Sequence, residues 1–210
     1  MKNVKQKPMY RYLMILTICS AVGLQGWLTL FNNFAVEVAG LEGVHIGVIQ
    51  SVREIPGFLA LLAIFVMLLV KEHRLSALSI LVLGVGLAAT GLFPSFIGLL
   101  ITTLIMSFGF HYYETTNQSL SLQYFDENTS PWVIGKLRSM AAASNIGVGV
   151  FIYLVAALLN YTQIYLLLGG LIIVTSLWAL AQDPTDRDII PQRKKMIFRK
   201  KYWLFYFLTF

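Results

Sequence analysis

Cysteine and charge are both scarce in this chain of 210 residues: it has one Cys, and Asp, Glu, Lys and Arg together supply 12% of the residues. A lone thiol, Cys19, excludes an intramolecular disulfide and leaves no cysteine cluster for a metal. The three histidines, His45, His73 and His111, stand far from metal-ligand spacing. A G-x-S-x-G nucleophile turn and a phosphate-cradling glycine loop are also missing. Ser107 and His111 fall on one helical face, but no oxyanion signature accompanies them. The sequence therefore gives no reason to expect an enzyme, a metal or a cofactor.

Apolar residues take the place of all this. They make up 57% of the chain, and the mean hydropathy of +0.71 is outside the range of water-soluble domains. The expected fold is all-α and polytopic in a lipid bilayer. The most telling stretch is 44–70, VHIGVIQSVREIPGFLALLAIFVMLLV, which is long enough to cross the hydrocarbon core. Arg53 and Glu54 lie inside it. Arg53 is nine residues from Val44, on the order of 13 Å along a helix axis. A charge at such depth costs roughly 2.5–3.5 kcal/mol on insertion scales, so it needs protein or a water-filled cavity beside it.

Five further spans follow from the same reasoning, at 12–36, 76–93, 95–122, 138–159 and 163–181. The first is longer than the apolar core of a secretory signal, about 7–15 residues, and lacks a cleavage site, so it is expected to be retained. Residues 1–181 thus form a six-helix bundle. Residues 182–201 form a basic loop, and 202–210, apolar and aromatic, read as the beginning of an incomplete seventh span. In this topology fifteen of the sixteen Lys and Arg lie on one side, in the N-terminus, in the 70s, at Lys136 and Arg138, and in the basic loop. The three opposite turns hold none. The positive-inside rule puts the basic side in the cytoplasm, and the same distribution argues against nucleic acid as a partner.

Polar residues within the spans are the candidates for function. On the fourth helix Ser107, His111, Glu114, Thr115 and Gln118 share one face, which suits either a cavity lining or an interhelical hydrogen-bond seam. Glu114 lies near the cytoplasmic end, with Arg138 and Asn145 as neighbours on the fifth helix. Gln25 and Asn32 on the first helix are level with Arg53. Arg53 serves either to bind an anionic group or to lock a helix pair. Glu54 is rotated about 100° from it, so the two need not share a partner. Glu54 and Glu114 are candidates for proton coupling or for salt bridges, and His111 for titration or for a structural hydrogen bond.

The six-helix layout followed by a basic loop and a begun seventh span resembles the N-terminal half of a major facilitator superfamily transporter. At residue level the resemblance rests on QSVREIPG (50–57), FHYYETTNQS (110–119) and KLRSMAAASNIGVG (136–149). It implies two six-helix bundles around a central site, each built of inverted three-helix repeats, and the movement of a small solute by alternating access. It also implies that the fourth helix lines the cavity. Glu72 and Arg74 would stand for gating residues of the second-to-third loop, although both glycines of the family's loop pattern are missing here. The expected setting is a bacterial-type inner membrane. The expected partners are an unidentified small-molecule substrate and either the missing C-terminal half or a second copy. The alternative is a six-helix membrane protein that does not transport and serves as a structural or partner-binding subunit.

Overall fold

A computed structural model describes residue 4, residues 7–185 and residues 201 and 203. Apart from Trp203, the segment 202–210 expected to begin a seventh span lies outside the described residues, as do residues 186–200 of the expected basic loop. Among the described residues, six helical segments are long and apolar enough to cross a membrane: α1 (Pro8–Glu37), α2 (Gly43–Leu69), α3 (Glu72–Thr90), α4 (Phe96–Tyr124), α5 (Ser130–Val155) and α6 (Tyr161–Leu180). The described residues contain no strand. The chain is an all-α, multi-pass membrane protein.

Local chemistry sets the helix ends. Pro8 and Pro131 sit in the first turns of α1 and α5, where a missing N–H costs nothing. Ser95 accepts from the Gly98 N–H (3.1 Å) to cap α4. Asn160 and Gln163 form a reciprocal capping box at α6, at 2.9 and 3.0 Å. Gly40 turns the chain after α1 with φ at +63°, a conformation that glycine adopts without steric cost.

Two connections are shorter than the sequence suggests. The polar run 71–76 is helical from Glu72, and 123–136 is helical except for 125–129. Hydropathy falls where a helix leaves the apolar core, but the backbone hydrogen-bond ladder continues until something stops it. Before α5 the stop is a turn built on Asp126, which accepts from the Asn128 N–H, the Thr129 N–H and the Thr129 hydroxyl at 3.0, 2.8 and 2.9 Å. These bonds, those from Thr129 foremost, hold the Asp126 carboxyl below the usual carboxylate range. Because the folded value is the lower one, the turn's contribution is present at neutral pH and fades as pH falls through that value. Asp126→Ala should therefore speed amide exchange in the first turn of α5 at neutral pH, with no change in the first turn of α4.

The bundle is organised around α3, which packs along α4 and α6. Glycines permit the contact. A Cβ on Gly86 would strike the Met106 backbone, one on Gly109 the backbone of Ser79 and Leu83, and one on Gly169 the backbone of Ala88. In lipid such close approach replaces the hydrophobic effect as the source of helix association. α1 packs on α5 and α6 and supplies much of the aromatic core, with Trp27 and Phe31 stacked at 4.1 Å between centroids and Phe34 edge-on to Tyr165. α2 and α5 form the flanks: only 11% of each apolar window is buried, against 61% for α3.

α2 is not one continuous helix. It runs Gly43–Arg53, then Ile55–Phe58, a 3-10 turn Leu59–Leu62, and Ala63–Leu69. Pro56 removes one backbone donor and crowds the preceding turn, which breaks the ladder near Glu54. The charge pair of α2 therefore stands at a break.

Candidate functional site

A cavity of about 630 Å³ lies between α1, α4 and α5, in the half of the bundle that contains the start of α1 and the α4–α5 link. Small-molecule sites commonly fall in the range of about 300–1,000 Å³. Three helices supply its walls at helical spacing. α1 gives Thr17, Ser20, Ala21 and Leu24, and α5 gives Ile134, Leu137, Arg138, Ala141 and Asn145. α4 gives a polar run from Phe110 to Leu122, and Ala60 of α2 touches the edge. The space exists because α5 lies along α1 while making few contacts with α4.

His111, Glu114, Thr115, Gln118 and Asn145 all line this cavity. Glu114, Gln118, Arg138 and Asn145 are exposed within the isolated chain. Among the described residues of the lining, Glu114 and Arg138 are the only Asp, Glu, Lys or Arg. Both face the same space, yet no ion pair joins them. Asn145 fits a donor role toward the carbonyls of Ala141 and Ala21 (3.3 Å each), once its amide is oriented by its neighbours. That contact ties α5 to α1. Asn117, Ser119 and Ser121, outside the face singled out in the sequence, also line the cavity. Arg138 was legible only as a neighbour of Glu114; its spacing of three and seven from Ala141 and Asn145 was the signal that places all three together.

Ser107, Arg53 and Glu54 are not in that lining and form a second cluster at the break in α2. Ser107 Oγ donates to the Arg53 carbonyl at 2.5 Å, which satisfies an acceptor freed by the break. Arg53 Nε and Nη2 donate to Glu54 Oε1 at 3.0 and 2.5 Å. The neighbours thus pair with each other despite their 100° offset, because the helix ends between them and the long Arg side chain can fold back. The Arg53 guanidinium also lies 5.4 Å from the centre of the Trp27 ring, a cation–π contact. The His111 ring packs against Gly57, where an added Cβ would sit 3.0 Å from its Cε1. His111 therefore belongs to both clusters.

Gln25 and Asn32 do not serve Arg53. Gln25 Nε2 donates to Thr29 Oγ1 (3.3 Å), and Asn32 is exposed. Trp27 takes the place expected for them, since an indole face stabilises a guanidinium without any polar atom. Glu72 is buried and accepts from Ser119 Oγ at 2.9 Å, which joins α3 to the back of the cavity wall, while Arg74 is exposed. His73 is 3% exposed; its carbonyl accepts from Tyr12 OH (2.6 Å), and its Nε2 is 4.0 Å from Asp183 Oδ1. His45 caps α2, its Nδ1 accepting from the Glu42 N–H at 3.4 Å. No group of three or more His, Cys, Asp or Glu suited to a metal occurs among the described residues. No family model matches the chain, and no curated protein matches it.

Proposed function

We propose that the chain is one six-helix half of a secondary active transporter of the major facilitator type, which moves a small solute by alternating access. The observation that carries this reading is the cavity between α1, α4 and α5. It is of ligand size and lined by polar and oppositely charged residues of membrane-crossing helices. Polar side chains at such places are costly unless they meet water or a ligand. The broken α2 supports the reading, because discontinuous helices are a recurring feature of transporter sites. In this reading the basic end faces the cytoplasm of a bacterial-type inner membrane, and a second half or a second copy covers α2 and α5. The protein is a carrier with no catalytic residues of its own. The same weakly buried flanks, α2 and α5, favour the second reading, a non-transporting subunit docked on a partner.

Water access separates the two. In a Cys19→Ser background, Gln118→Cys should react with a small impermeant thiol reagent from the N-terminal, basic side. Glu42→Cys should react only from the opposite side. A Gln118→Cys protein that stays unreactive from both sides would mark the cavity as a dry seam and remove the transporter reading.

A further inference from the structure

Glu114 and Arg138 face one cavity with opposite charge, and neither is neutralised by direct contact with the other. Three further polar atoms are buried without a hydrogen-bond partner on residues of the same lining: Ser20 Oγ, Asn117 Oδ1 and Ser121 Oγ. Ser20 and Ser121 are 3% and 1% exposed, so bulk solvent does not serve them. Buried polar atoms without partners are uncommon in folded proteins and call for an explanation.

The charge pattern selects among ligands. A simple anion drawn to Arg138 is repelled by Glu114, and a simple cation drawn to Glu114 is repelled by Arg138. An uncharged polar solute gains neither full attraction. A molecule with an anionic group at one end and an ammonium at the other gains both. Its carboxylate can take the two parallel N–H donors of a guanidinium, and its ammonium can donate to the Glu114 carboxylate.

We propose that the cavity binds a small zwitterion of the amino-acid type, its carboxylate at Arg138 and its ammonium at Glu114. As a statement about a transported substrate this rests on the transporter reading; as a statement about binding it stands on the cavity alone.

The test uses the full chain in lipid nanodiscs at pH 7, with binding followed by ligand-observed NMR. The probes are 4-aminobutyrate and β-alanine as zwitterions, butyrate as the anion, butylamine as the cation and butyramide as the uncharged analogue. The wild type should bind at least one zwitterion about tenfold more tightly than any single-charge or uncharged probe, the difference expected for one charge-assisted contact. Glu114→Gln should move the preference to butyrate and Arg138→Gln to butylamine, whereas Glu114→Asp should keep the zwitterion first. Equal binding of zwitterion and single ion, loss of all probes alike in both Gln variants, or no binding by any probe would overturn the proposal. Gln118→Cys labelling reports separately on the transporter reading. A reactive cysteine together with a preference for butyrate or butylamine would reject the zwitterion and leave the carrier intact.

Discussion

Gly109→Leu should abolish the packed bundle. A side chain at this position points into the α3 backbone at Ser79 and Leu83, where no rotamer change can make room. Ordinary overpacking against movable side chains costs about 1–3 kcal/mol. Here α3 and α4 must separate along a seam that also includes Gly86 against the Met106 backbone. The loss should then approach the whole margin of a typical fold, about 5–15 kcal/mol. The variant should elute as aggregate from size-exclusion chromatography or unfold far below the wild type in a thermal scan. Gly147→Leu is the control, since nothing lies within 4 Å of a Cβ at that site. It should change stability by no more than about 0.5 kcal/mol. Equal damage from both substitutions would mean that the close α3–α4 approach does not hold the bundle together.

Arg53→Ala should destabilise the chain and, on the transporter reading proposed above, abolish uptake once the chain is assayed together with a second half. Removal of the guanidinium strips Glu54 of its partner and Trp27 of its cation. Leaving a charged acceptor unsatisfied costs about 1–3 kcal/mol when buried. The lower part of that range applies, because the Arg53 and Glu54 side chains are 22% and 52% exposed. A double variant, Arg53→Leu with Glu54→Leu, removes both charges and should recover most of the stability. Uptake by the double variant then decides the role. Normal uptake would make the pair a structural lock at the break in α2. Recovered folding without uptake would place Arg53 in the transport cycle itself.

The six spans were legible because hydropathy averages over about 20 residues, and a bilayer demands an apolar stretch of that length. The helix ends were not. Glu72 begins α3 and Tyr124 ends α4 within polar sequence, since hydrogen bonding continues beyond the apolar core. The cavity face of α4 was legible at His111, Glu114, Thr115 and Gln118 through the 3.6-residue period. Ser107 shares their direction, but a helical angle carries no information about depth, and one turn further along it meets the Arg53 carbonyl. Gln25 and Asn32 are polar and level with Arg53, a pattern that points to them as its partners. Trp27 answers that charge with a ring face, which such a pattern does not detect. Asn117 and Ser121 could be found only once the positions of α1 and α5 were known.

The arrangement around α3 also divides the chain by what change it can accept. At Gly86, Gly109 and Gly169 the side chain is a hydrogen atom because two backbones fill the space, so any enlargement alters the spacing of three helices. At Glu114, Gln118 and Arg138 the side chains face open volume, and an exchange alters the chemistry of the wall while the backbone stays in place. A lineage carrying this fold could thus acquire a new ligand preference by single substitutions on α4 and α5, with the α3 seam as the inherited constant.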